Sequence, residues 1–108
     1  MKDQILNIEY VPISSLRLNP HNPRRHTSKQ IGQIARSIQT FGFNVPILID
    51  SNSQVIAGHG RVLACMEVGL KDVPAVRVDH LSQRQIQAFT IADNRLTENG
   101  EWDTTLLY

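Results

Sequence analysis

The chain has 108 residues, 41% of them hydrophobic and 19% charged, with a formal net charge of +1. That length and balance describe one soluble globular domain with a modest core, without the strong overall basic signature of a nucleic-acid binder. The single cysteine, Cys65, rules out an intrachain disulfide and fits a reducing cytoplasm, and no apolar run approaches the length of a membrane span.

Residues Ile8 to Leu18 read as extended, since Ile8, Tyr10, Val11 and Ile13 are strand formers and Pro12 argues for a sheet edge. Asn19-Pro20-His21-Asn22-Pro23-Arg24-Arg25-His26 follows, an ordered polar loop because two X-Pro steps disfavour helix. Thr27 and Gln30 then form a capping-box pattern, and Ile31, Ile34, Ile38 and Phe41 recur at helical spacing until Gly42. Val45 to Ile49 is an apolar run too short for a helix. With Val55-Ile56-Ala57 beyond Ser51-Asn52-Ser53 it predicts a β-hairpin.

The second strand of that hairpin runs into Gly58-His59-Gly60-Arg61, after which Val62 to Gly69 reads as a short helix with a glycine stop. Strand, glycine-rich turn and helix start present backbone N–H groups to an anion, and Arg61 adds a cation at the mouth. The same pattern serves a tight turn that needs glycine for positive φ, and residue types alone leave both readings open. Cys65, between Val62 and Met66, reads as a packed core thiol.

Val73 to Val78 is a further strand, with Val76 and Val78 on one face and Arg77 on the other. Ser82 and Gln85 repeat the capping box, with Leu81 positioned to staple onto Ile86. The stripe of this helix reads Ile86, Phe89, Asp93, Leu96. A carboxylate at a buried position must meet a cation, a metal or a cluster of donors, and a structural salt bridge satisfies it as well as a ligand does. Charge is uneven along the chain: residues 1–61 hold seven basic against three acidic side chains (+4), and residues 62–108 hold four against seven (−3). The four histidines lack metal-ligand spacing, which argues against a zinc site.

The order of these parts resembles the ParB N-terminal domain, a fold shared with sulfiredoxin. The resemblance covers roughly Ile8 to Leu96. It rests on Asn19-Pro20 through Pro23-Arg24, on Gly42 to Ile49 (GFNVPILI), on Val55 to Arg61 (VIAGHGR) and on Ile91-Ala92-Asp93-Asn94-Arg95. It implies an α+β fold, a small mixed β-sheet packed with three to four short helices. Residues 1–98 would form the domain, and 99–108 would begin a C-terminal helix or a connection to an absent domain. It further implies a nucleotide, CTP or ATP with Mg2+. Gly58, Gly60, Arg61, Arg24, Asn94 and Arg95 would bind the nucleotide phosphates, and Asp93 and Asn94 would hold the metal.

The chain departs from the family pattern at three positions. His59 stands where the turn has glutamate, Gly60 where it has its first arginine, and Val45 where a glutamine precedes Pro-Ile. Sulfiredoxin has its nucleophilic cysteine where His59 stands, so sulfiredoxin chemistry is not expected. In detail the pattern is most similar to ParB-like domains that precede phage and mobile-element DNA methyltransferases. The expected function is a cytoplasmic nucleotide- or phosphate-binding module acting in DNA transactions, as part of a larger methyltransferase-type protein. One alternative is a nuclease or phosphoryl-transfer enzyme with His59 as catalytic base, and another is a DNA-backbone-binding domain. Expected partners are a nucleotide, DNA and a second copy of the chain, with no membrane.

Overall fold

A computed structural model describes residues 6–18 and 27–93. The polar loop at 19–26, the tail after Asp93 and the predicted domain boundary at residue 98 lie outside those residues. Four strands form one mixed sheet in the order β1-β4-β2-β3: β1 (Ile8–Pro12), β2 (Ile47–Ile49), β3 (Val55–Ala57) and β4 (Asp72–Arg77). β1 runs antiparallel to β4, β4 parallel to β2, and β2 antiparallel to β3 as the predicted hairpin. Helices α1 (Ser28–Phe41) and α2 (His59–Val68) pack against each other, and a third, α3, occupies residues 83–93. This is the mixed α+β fold expected.

Pro12 sits where its missing N–H does least harm, at the end of the edge strand β1. The extended stretch predicted as far as Leu18 ends sooner. A 3-10 turn at Ile13–Ser15 follows β1, held by Ser15 Oγ donating to the Pro12 carbonyl at 2.8 Å. The turn lets the chain cross to the opposite edge, where Arg17 bridges Gln54 beside β3. β4 is central and buried on both faces from Val73 to Val76, as a strand with neighbours on each side must be.

Both capping boxes form. Thr27 Oγ1 accepts from Gln30 N at 3.1 Å while Gln30 Oε1 accepts from Thr27 N at 2.9 Å; Ser82 and Gln85 repeat the exchange at 3.2 and 2.8 Å. Gly42 ends α1 at φ 87°, its N–H on the Ile38 carbonyl. The apolar stripes are less uniformly buried than spacing suggests. Ile31, Ile34 and Ile38 are half-buried, but Phe41 is 73% exposed at the helix end. Phe89, assigned by spacing to the buried face of α3, is exposed, whereas Ile86 and Asp93 are half-buried.

The core joins Val11, Ile47, Ile49, Val55, Val62, Cys65, Val73 and Ala75 between sheet and helices, with Ile38 and Phe43 packed on its rim. Burial raises the Cys65 thiol from 9.0 to about 11, because an apolar site disfavours the thiolate. Iodoacetamide at pH 8 should therefore leave Cys65 unmodified in the folded chain and label it fully in urea. Rapid native labelling would contradict the packing. The protonated thiol is the form that folding favours. Its stability contribution is complete below pH 9.0 and is lost as the pH rises towards 11.

Candidate functional site

The site is built where β3 meets α2. Val55 and Ile56 are buried strand residues, and the chain leaves Ala57 through Gly58 at φ 101° and ψ 22°. Left-handed backbone of this kind is what glycine adopts without a Cβ penalty. A second reason fixes glycine here: a Cβ on Gly58 would stand 2.6 Å from Ile47 Cγ2. Backbone and packing thus demand the same residue.

The helix begins earlier than the sequence suggested. Gly58 is its N-cap, and His59, Gly60 and Arg61 form its first turn rather than preceding it. The first carbonyl of the helix, on Gly58, accepts from Val62 N at 3.1 Å. First-turn amides have no intrahelical acceptor by construction, and among the described residues those of Gly60 and Arg61 donate to no protein group. Together with the helix dipole they create positive potential at this end of α2, which carries no acidic residue in its first turn. Gly60 is buried, Gly58 and Arg61 are half-buried, and the His59 imidazole is buried at 9% exposure.

Arg61 lines a cleft of about 190 Å³ between the C-terminal half of α1 and the segment from Gly42 to Val45. Ile34, Ile38, Phe41 and Val45 supply apolar walls, and Ser37, Asn44 and Arg61 supply the polar groups. The exposed Phe41 side chain and the exposed Asn44 and Val45 ahead of the hairpin are thereby accounted for as walls. α1 itself carries exposed Lys29 and Arg36 and no acidic side chain.

Of the site residues expected from sequence, the fold brings Gly58, Gly60, Arg61 and His59 together at the α2 N-terminus. Asp93 is half-buried at the end of the described part of α3. Arg24, Asn94 and Arg95 lie outside the described residues. Among the described residues no three metal-ligating side chains gather in one place, and no helix is long and apolar enough to cross a membrane.

Sequence reading missed two features. Asp50 is 3% exposed, and its Oδ1 accepts from Asn52 N at 2.8 Å and Gln54 N at 2.9 Å, closing the hairpin turn. Arg77 then clamps that turn, donating from Nη1 to the Asp50 carbonyl at 2.8 Å and from Nη2 to Glu9 Oε1 at 2.7 Å. The Asp-Ser-Asn-Ser stretch signalled a turn. Nothing local signalled that an arginine from β4 would reach it.

The ParB N-terminal domain family model matches residues 2–95. The chain is 39% identical over 82 residues to the ParB-like nuclease domain-containing protein YnaK of Escherichia coli K12, covering 76% of this chain and 94% of that protein. It superposes on C-terminally truncated Caulobacter crescentus ParB, crystallised with CTP-gamma-S, with a TM-score of 0.72 and 28% identity over 82% of this chain and 52% of that one. Arabidopsis thaliana sulfiredoxin shares the fold alone, with a TM-score of 0.64 and 17% identity over 79% of this chain and 97% of that one. Against the curated chromosome-partitioning proteins of Rickettsia felis and Deinococcus radiodurans, the match spans only 30% and 34% of their length. On these matches and this architecture, the chain belongs to the ParB N-terminal domain family.

Proposed function

We propose that this chain is a nucleotide-binding module that acts in DNA transactions. Phosphates would lie against the α2 N-terminus, held by the Gly60 and Arg61 amides and the Arg61 guanidinium, with Gly58 supplying the bend that lets them approach. One observation carries the reading: two first-turn amides that meet no acceptor among the described residues stand beside a half-buried arginine that also walls an apolar cleft. That arrangement suits a ligand with an anionic end and a flat apolar end. The CTP-gamma-S complex of the Caulobacter relative supports the same chemistry.

Arg24, Asn94 and Arg95 would complete the phosphate shell, and Asp93 with Asn94 would hold Mg2+, which supplies charge neutralisation at the phosphates when bound. Lys29 and Arg36 on the acid-free α1 give a cationic face suited to DNA phosphates, and the Caulobacter protein has also been crystallised with its centromeric parS site. Attachment to a DNA methyltransferase is the finer form of the reading and rests on the Ala57–Arg61 and Ile91–Arg95 patterns. A nuclease with His59 as general base is weaker on geometry, because 9% exposure shields the imidazole from a phosphodiester approaching through solvent.

Calorimetric titration with CTP, ATP and GTP, with and without Mg2+, tests the proposal. Saturable binding is expected, weakened by competing inorganic phosphate. Absence of binding at millimolar nucleotide would end the reading.

A further inference from the structure

Strand β1 closes one end of the sheet and pairs on one side only, with β4. A proline and one hydrogen bond fix which of its backbone groups face the open side. Tyr10 stands opposite Pro74, which has no N–H, so the two cannot exchange a pair of hydrogen bonds. One step beyond the strand, in the same register, Ile13 N donates to the Lys71 carbonyl at 2.8 Å. Odd-numbered residues therefore turn their N–H and C=O groups towards β4. Ile8 and Tyr10 turn theirs outwards, and among the described residues those groups meet no partner. Pro12 ends the row of donors.

The side chains of the same residues are also uncovered. Ile8 and Tyr10 share the sheet face of Val76 and Pro74, yet they are 60% and 73% exposed while those two are buried. Leu6, just ahead of the strand, is 58% exposed. Edge strands that stay unpaired are commonly guarded by lysine, by proline or by a bulge. β1 carries no lysine or arginine, its one proline is its last residue, and its pairing with β4 keeps an unbroken register. Its only charge, Glu9, is held by Arg77 at 2.7 Å.

We propose that this edge binds the same edge of a second copy, antiparallel, with the two-fold axis at Ile8. The edge is complementary to itself in that register. Ile8 lies opposite Ile8 and Leu6 opposite Tyr10, so the outward pairs are apolar and can exchange N–H···O bonds in both directions. Asn7 lies opposite Glu9, and no like charges meet. An axis at Glu9 would oppose two carboxylates, and one at Tyr10 would set Ile8 against Pro12, which has no donor. An axis at Asn7 would set Tyr10 against Gln4. The contact covers on the order of 500 Å² per copy, about 1,000 Å² in total, which is the lower bound for a specific interface. The dimer is accordingly weak, dissociating on the order of tens of micromolar. It calls for no nucleotide.

Sedimentation velocity on the whole chain without nucleotide, from about 5 to about 500 μM, tests the proposal. The sedimentation coefficient should rise from that of a monomer to that of a dimer across this range. Ile8→Lys and Ile8→Glu should each weaken association by about tenfold or more, because identical charges meet on the axis. Mixing the two variants should restore association, since opposite charges then face each other. An axis elsewhere would set the new charges against other residues and give no such rescue. Ile8 is exposed, so both variants should melt with the unmodified chain, and circular dichroism checks this. The concentration series on the unmodified chain stands without either variant. A dimer that both variants leave intact, or folded variants that mixing does not rescue, overturns the proposal. A chain that stays monomeric throughout also overturns it, and leaves the edge to an extended segment of another protein.

Discussion

Gly58→Ala should lower folding stability by about 3 kcal/mol, with a fall in melting temperature of roughly 10–20 °C for a domain of this size. Two causes add. An L-residue at φ 101° meets the left-handed penalty of about 1–2 kcal/mol. The new methyl would also stand 2.6 Å from Cγ2 and 3.0 Å from Cβ of Ile47, whose own backbone is 3.3 Å away. Ile47 is 1% exposed and registered against Ala75 in the sheet, so it has nowhere to move. Overpacking of that kind costs about 1–3 kcal/mol. Gly69 provides the control, because it is also left-handed (φ 79°) but a Cβ there meets nothing within 4 Å. Gly69→Ala should cost only the backbone part. Urea denaturation followed by circular dichroism measures both, and equal losses would show that Ile47 is not the obstacle.

Arg61→Ala should weaken nucleotide binding by about 10- to 100-fold, the loss of one charge-assisted phosphate contact of about 1.5–3 kcal/mol. Stability should change little by comparison, since Arg61 is half-buried on a cleft wall while Val62 beside it carries the core contact. Arg61→Lys should recover part of the affinity by restoring charge without the planar fork. Affinity for wild-type protein should also fall as salt rises, with a weaker dependence in the alanine variant. Nucleotide affinity unaltered by Arg61→Ala would remove the phosphate site from α2. Taken with Gly58→Ala, which disturbs the bend rather than the cation, the pair separates holding the shape of the site from contacting its ligand.

Local chemistry was legible in the sequence wherever a side chain reaches its own backbone within a few residues. Thr27 with Gln30, Ser82 with Gln85, the stop at Gly42 and the hairpin from Ile47 to Ala57 follow from such contacts. They form between neighbours regardless of what surrounds them. The glycine bend was legible for the same reason, since a positive φ is a property of one residue. Its second requirement, the Ile47 side chain eleven positions earlier, was not.

Exposure was harder to read. Phe41 and Phe89 satisfy a helical stripe yet remain exposed, because periodicity says which residues share a face and not whether another element covers it. The bond that Asn44 Nδ2 donates to the Phe41 carbonyl was likewise hidden, because that carbonyl becomes available only where α1 actually ends.

The sequence by itself determined which elements form, the capped starts of α1 and α3 and the glycine turn, through interactions spanning three or four residues. Only the tertiary structure decided that β4 lies between β1 and β2, that Arg77 ties together residues 27 and 68 positions away, and that Arg61 faces the end of α1 across a cleft. Such contacts depend on which buried faces find each other once the chain has collapsed, and no short window of residues encodes that choice.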